Sequence, residues 1–196
     1  MIKSNRVKAF ISYNWYWYLL MIFFIIFIFY MVFEVKKTPS YDESINYFIA
    51  SDKVETSSLN ELLYNGVDKD IILKVNIDSS SPDNLYFSSI FNTRGMVNTD
   101  VIIIRDDYIK EGSYGTYFKE LDLDILSKYF KTDNLLYLVD NEKTYGILVN
   151  DVIDDFINLD NHNYYLFFNA SSNKIGELSS DSINDQALIS ISNLFK

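Results

Sequence analysis

Polar and apolar positions divide this chain into one unbroken apolar block and a long segment in which the two alternate. The block, Trp15–Phe33 (WYWYLLMIFFIIFIFYMVF), is nineteen residues without a charge. At 1.5 Å of rise per residue it makes a helix of about 28 Å, roughly the thickness of a bilayer hydrocarbon core. A buried core helix of that length normally keeps a polar face, and this run has none. Tyr13, Trp15, Tyr16, Trp17 and Tyr18 crowd one boundary and Tyr30 lies near the other, which is the aromatic-belt pattern. The pattern predicts an N-terminal tail over 1–13, a transmembrane helix over 14–34, a spacer over 35–44 and one domain over 45–196. A secretory signal is the competing assignment. The run is longer than the usual apolar region of such a signal and no small-x-small cleavage motif follows it, so an uncleaved anchor is expected.

The remaining 150 or so residues suffice for one domain with its own core. Ile45–Ala50 (INYFIA) reads as a buried strand. Ser57–Tyr64 reads as a helix capped by Ser57 or Ser58, with Glu61 completing a capping box and Gly66 ending it. Asp70–Ile77 is a second strand, and Pro82 opens a helix carrying Leu85, Ile90 and Met96 that ends near Asn98. Val101–Arg105 (VIIIR), rich in β-branched residues and bounded by Asp100 and Asp106, is the clearest strand. A helix over Leu121–Phe130 follows, with Leu123, Leu126 and Phe130 inward. Leu135–Val139 and Tyr145–Val149 then form a hairpin around Asp140–Lys143, and Val152–Ile157 is a short helix. Tyr164–Phe168 is a further buried strand. Ile183–Leu194 is an amphipathic terminal helix with Ile183, Ala187, Leu188, Ile191 and Leu194 on its stripe. Strands separated by helices predict an α/β fold, a mixed sheet flanked by helices, because the hairpin prevents a purely parallel one.

Charge changes the picture by separating tether from domain. Residues 1–37 hold five basic and one acidic residue, a net of +4, so the rest of a chain of net −10 carries −14. Lys3, Arg6 and Lys8 before the span against Lys36 and Lys37 after it favour a cytoplasmic N-terminus and an extracellular domain at the cell membrane. Twelve scattered Lys and Arg among twenty-six acids supply no basic stripe, which argues against nucleic acid as a partner. With no cysteine there are no disulfides, zinc thiolates or thiol nucleophiles. There is no GxSxG elbow, GxxxxGK[ST] loop or HExxH pair, and no particular pair of carboxylates is singled out for glycoside chemistry. The expectation is a non-enzymatic domain without a cofactor.

Several fragments, NTDVIIIRDDYI, GTYFKELD, LLYLVDNEKTYGILVN and NYYLFFNASS with DSINDQALISISNLF, resemble the extracellular solute-binding proteins of ABC importers. They are closest to the shortened, membrane-anchored relatives of low-GC Gram-positive bacteria, and the Ile-, Asn-, Lys- and Tyr-rich composition fits an AT-rich genome. The resemblance covers about 45–196. It implies a single periplasmic-binding-protein-like lobe, a small solute such as a sugar or peptide, a membrane-protein partner, and the bilayer itself held through 15–33. This chain departs from the family in having about half the usual exported length and a helix in place of a lipid-modified cysteine. The alternative implied by the half-size lobe and the short spacer is a structural or accessory subunit of a cell-envelope or transporter complex.

Asp106, Asp107 and Tyr108 follow the clearest strand, where open α/β sheets place ligands. Two carboxylates there can hydrogen-bond a polyol or coordinate a hard cation with the tyrosine stacking beside them. Their structural alternative is a solvated acidic loop whose Arg105 pairs with a neighbouring carboxylate. Tyr114 and Tyr117 flank Gly115 in EGSYGTYF, an aromatic loop suited to contacting sugars or peptides, or else packed on the core. His162 is the only histidine and reads as a turn residue, with no second histidine for a conventional zinc site. Asp151, Asp154, Asp155 and Asp160 lack calcium-loop spacing and read as solvated surface. Asn169-Ala170-Ser171 matches a glycosylation sequon but reads as a strand-end turn.

Overall fold

The computed structural model describes residues 2–37, 39–108, 113–132, 134–176 and 185–196. The chain forms two compact units, Met1–Pro39 and Ser40–Lys196. The first contains one helix, α1 (Ile2–Lys37), which runs through the tail as well as the apolar block and stops just before Pro39. Trp15–Glu34 is long and apolar enough to cross a membrane, and none of it is buried. A core-helix reading requires burial, so it fails.

The second unit is an α/β domain with one six-stranded mixed sheet. Its elements are β1 (Ser44–Ile49), α2 (Thr56–Tyr64), β2 (Lys74–Ser79), α3 (Phe87–Ile90), β3 (Val101–Arg105), α4 (Tyr114–Tyr117), α5 (Leu123–Leu126), β4 (Tyr137–Asp140), β5 (Lys143–Leu148), α6 (Asn150–Ile153), β6 (Tyr164–Phe168) and α7 (Gln186–Ser192). The strand order is β2-β1-β3-β6-β5-β4. β1 pairs parallel with β2 and β3, while β6, β5 and β4 join antiparallel. One face packs Ile45, Tyr47 and Ile49 with Leu59 and Leu63 of α2 and with Leu188 and Ile191 of α7. The other packs Phe48, Ile102 and Ile104 with Phe87, Tyr114, Phe118 and Phe167. Strands covered on both faces read as near-continuous apolar runs rather than alternations, which is why INYFIA, VIIIR and YYLFF are apolar apart from Asn46 and Arg105.

Several element boundaries differ from the expectation for local reasons. The helix expected at Ser57 begins at Thr56, so Ser57 and Ser58 lie inside its first turn and the Ser58–Glu61 box is not used. Strand β2 starts at Lys74 because Asp68 accepts the Asp70 N–H at 2.9 Å and holds the preceding run as a turn. The helix expected from Pro82 shrinks to α3 and a π-turn over Phe91–Gly95, and Leu85 is 97% exposed instead of buried. A Cβ on Gly95 would sit 2.7 Å from the Phe91 ring, so only glycine fits there. The helix expected over Leu121–Phe130 is regular only through α5, where Asp122 accepts N–H bonds from Asp124 and Ile125. Leu126 and Phe130 are buried as expected, but Leu123 is exposed. The hairpin turn takes only Asn141 and Glu142, both at positive φ as a type I′ turn requires, so β4 and β5 reach closer to it than expected. In α7 and the turn after it, Ala187, Leu188, Ile191 and Leu194 are buried as the stripe predicts. Thr38 of the spacer, Glu111 and Gly112 of the aromatic loop, and Ile183 of the expected terminal helix lie outside the described residues.

A charged pair lies wholly inside the second unit. Asp100 and Lys174 are both fully buried, with Nζ 3.2 Å from Oδ2 and 3.4 Å from Oδ1. Ser172 donates to Oδ1 at 2.6 Å, Tyr41 donates to Oδ1 at 3.0 Å, and the Asn46 N–H donates to Oδ2 at 2.8 Å. The Tyr41 ring also lies under the ammonium, 3.4 Å from Nζ to its centroid. Burial pulls the Lys174 ammonium below its ordinary value, and the Asp100 carboxylate draws it back. Tyr41, just ahead of β1, already belongs to the domain, so the folded unit starts before the expected boundary at residue 45.

Removing one partner of such a pair leaves a buried charge uncompensated. Asp100→Ala is expected to cost about 3–5 kcal/mol. Lys174→Met is expected to cost less, because the carboxylate keeps three donors. Urea unfolding of the full chain in detergent micelles, followed by tyrosine fluorescence, gives this order; the reverse order would contradict the description of the pair.

Tyr47 adds a pH dependence. Its hydroxyl, buried under α7, donates to Ser190 at 2.6 Å, and Ser190 donates to the Leu63 carbonyl at 2.6 Å. Burial raises the phenol well above its ordinary value, against the pull of the Ser190 bond. Above pH 10 the unfolded chain loses this proton and the folded chain keeps it. Stability contributed by Tyr47 is therefore complete below pH 10 and falls above it by about 1.4 kcal/mol per pH unit. Urea midpoints between pH 8 and 11 should fall less steeply above pH 10 in Tyr47→Phe.

Candidate functional site

Strand β1 sends its chain to β2 on one side, and β2 returns to β3 on the other. The carboxyl ends of β1 and β3 therefore diverge at a topological switch point, where open α/β sheets hold ligands. The turn Asp106–Tyr108 closes β3 at this end. Because β6 runs antiparallel with Arg105 opposite Tyr164, the loop before β6 arrives beside the same turn. The Asp106 N–H donates to the Asn163 carbonyl at 3.0 Å, and Asn163 Nδ2 donates to Asp106 Oδ2 at 3.1 Å.

Arg105 is nearly buried and organises the turn. Its Nε and NH2 groups donate to the two Asp107 oxygens at 3.1 and 3.2 Å, and NH2 lies 3.7 Å from Asp83. Burial lowers the guanidinium, and Asp107 and then Asp83 more than reverse this, so it is raised. The guanidinium lies 5.1 Å from the centre of the Tyr108 ring, which meets Phe87 edge-on at 4.7 Å. The Tyr108 hydroxyl donates to the Pro82 carbonyl. Burial raises this phenol, as it does that of Tyr165, whose second influence is Asp106. The arginine-paired acidic loop is thus present, and Asp106 is not engaged by that arginine.

Two clefts flank the turn. One of about 640 Å³ is lined by Asp106, Asp107, Tyr114, Leu138, Asp140 and Tyr165 among others. A second, of about 370 Å³, is aromatic, with Phe87, Phe91, Tyr108 and Tyr117 in its wall. Of the five residues singled out in the sequence, Asp106, Asp107 and Tyr108 close the carboxyl end of β3, whereas Tyr114 lies over Phe167 on the sheet face and the Tyr117 carbonyl accepts the Ala170 N–H beyond the far end of β6; the five also divide between the clefts. Tyr114 is 4% exposed and stacks on Phe167 at 5.8 Å and on Tyr145 at 6.3 Å, so most of it belongs to the core. Tyr117 is 42% exposed. Gly115 lies where a Cβ would meet the Tyr145 hydroxyl at 2.7 Å; close approach, not a hinge, accounts for it.

His162 is the residue that sequence reasoning left aside. One donor atom from each of Asp106, Asp107 and His162 lies within 4.8 Å of the other two. The histidine is 55 or more positions away along the chain, and only the antiparallel pairing of β3 with β6 brings it there. Predicting that pairing would have placed it opposite the acidic turn. Asp151, Asp154, Asp155 and Asp160 are exposed, as expected for solvated surface. Asn169 is buried, its Nδ2 donating to the Met96 carbonyl at 2.9 Å and its Oδ1 accepting from Ser171, so the sequon serves as a strand-end turn. No protein family, curated protein or solved structure matches this chain.

Proposed function

We propose that this chain is a membrane-tethered, non-catalytic ligand-binding domain of the cell surface. Its N-terminal helix holds it to the bilayer, and the carboxyl edge of its sheet takes a small solute, a sugar or short peptide, in concert with a membrane-protein partner. The supporting observation is the carboxyl end of β3 itself, where polar groups from the β3 turn and the β6 loop converge beside an open 640 Å³ cleft on the β6 side of that strand. Ligand sites combine a concave wall with a few placed polar groups, and Asp106, Asp107 and Asp140 supply such groups here. The resemblance to solute-binding proteins assigns the same edge and the same class of ligand. An accessory role in a transporter or envelope complex is the second reading. Leu85 and Tyr86, 97% and 73% exposed just before Phe87 of the aromatic cleft, favour it, since adjacent exposed apolar side chains suit a protein contact.

A thermal-shift screen of the full chain in detergent micelles tests ligand capture. A bound sugar or oligopeptide at about 100 times its Kd adds about 2.7 kcal/mol of stability. Asp106→Asn, in the wall of the 640 Å³ cleft, should abolish the shift without changing the melting temperature of the unliganded protein. If no solute of either class stabilises the chain, ligand capture is wrong and the accessory reading stands.

Topology is tested separately. With a tag at Lys196, external protease added to intact, wall-stripped cells should remove the tag while a cytoplasmic marker survives. Loss of the tag only after membrane rupture would put the domain in the cytoplasm and end the solute-capture reading.

A further inference from the structure

We propose that Asp106, Asp107 and His162 hold a divalent cation of the zinc class at the carboxyl edge of the sheet. The inference rests on the ligand-binding reading of this edge and names the group through which a solute is held.

The donors come from two distant parts of the chain, the turn after β3 and the loop before β6, and they reach one point. Their donor atoms lie no more than 4.8 Å apart. Two donors about 2.1 Å from a tetrahedral ion sit roughly 3.4 Å apart. Asp107 is exposed and Asp106 and His162 are half-buried, so side-chain rotation can close the difference.

The two carboxylate donors are also held from behind, as metal ligands commonly are, and the His162 backbone is fixed beside them. Asn163 Nδ2 donates to Asp106, Arg105 donates to both oxygens of Asp107, and Asn150 Nδ2 donates to the His162 carbonyl at 2.8 Å. Each Asp107 oxygen accepts one arginine bond and keeps a further acceptor position. Asp83, Asp106 and Asp107 against Arg105 leave this corner with a net charge of −2, which a divalent ion neutralises.

The donor set selects the ion. An imidazole nitrogen with two carboxylates suits zinc and its neighbours, whereas calcium wants six to eight oxygens. Three protein ligands leave at least one position for an outside oxygen. Asp106 and Asp107 also line the 640 Å³ cleft, so a carboxylate or hydroxyl of a solute lying there can complete the coordination.

The full chain in detergent micelles, stripped with EDTA and titrated with zinc by calorimetry, provides the test. One zinc per chain is expected, bound more tightly than calcium. Asp106→Asn and His162→Gln should each weaken binding at least about tenfold, and Asn163→Ala by about 10–100-fold. The double variant Asp154→Asn/Asp155→Asn, on another acidic surface, should bind as the parent does. Equal metal-free melting temperatures would show that the variants fold. Absence of zinc binding, a preference for calcium, or binding unchanged in both ligand variants would overturn the proposal. Solute stabilisation that survives EDTA would also overturn it while leaving the ligand-binding reading intact. Zinc bound at this site with no solute recognised would do the opposite.

Discussion

Asp100 lies fully buried at the amino end of β3, and its groups fasten the centre of the sheet. Its carboxylate accepts the Asn46 N–H of β1, its N–H donates to the Asn46 carbonyl, and its own carbonyl accepts the Asn169 N–H just after β6. Both neighbours of the central strand are thus tied to one residue. Lys174 supplies the opposite charge, and Ser172 and Tyr41 supply hydroxyls. Two charges removed from water cost several kcal/mol each, and their attraction compensates only when the remaining lone pairs are also satisfied. Here both carboxylate oxygens have donors besides the ammonium. Such a pair adds little net stability over an apolar core of the same shape. Its effect is selective: a strand slipped by one residue would leave a buried charge without partners, so a wrong register is penalised far more than the right one is rewarded. The turn at Tyr41–Glu43 is drawn into the same network, so correct closure of the sheet also fixes where the folded unit begins.

How much of this was visible in the chain depended on how local the cause was. INYFIA, VIIIR and YYLFF were legible because burial on both faces leaves its mark in most residues of the strand. The Ala187–Leu194 stripe was legible for the corresponding helical reason. Pro82–Asn98 was misread because Leu85, Ile90 and Met96 match a helical period, yet the chain turns at Phe91–Gly95 to stack Phe87 on Phe91 at 5.8 Å and to bring Phe91 onto Phe48 at 5.7 Å. Tertiary aromatic packing outweighed a local period there. Lys174 was illegible for a related reason: nothing in SSNKIG marks a buried lysine, because its partner lies 74 positions earlier.

The candidate site divides along the same line. That Asp106, Asp107 and Tyr108 close a strand was readable from VIIIR followed by two acids, and so was the option of an arginine-paired loop. Which acid the arginine takes was not, since Arg105 reaches Asp107 only when the turn folds back over it. Tyr114 and Tyr117 looked equivalent in sequence. One short helical turn separates them, driving Tyr114 onto Phe167 and leaving Tyr117 at the wall of the aromatic cleft. His162 had no local signal at all. Its place follows from antiparallel register, a property of two strands and not of either one.

The two ends of β3 carry the same kinds of group in opposite conditions, and this separates structure from function. At the amino end, Asp100 and Lys174 have no exposure and every carboxylate oxygen is engaged, so nothing from solution can reach them without unfolding the sheet. At the carboxyl end the cation Arg105 is also largely withdrawn, but its partners Asp107 and Asp83 remain 47% and 70% exposed. Burying the cation while leaving the carboxylates in water fixes their position and retains much of their capacity to accept. It also leaves an excess of negative charge beside an open cleft, on a domain whose net charge is already −14. Like-charge repulsion disfavours a bare anion there and favours either a cation or a neutral solute with hydroxyls to donate. A carboxylate solute can approach only once a cation has neutralised the local charge. The exposure of the groups around Arg105 therefore constrains the ionic character of any ligand this corner could take.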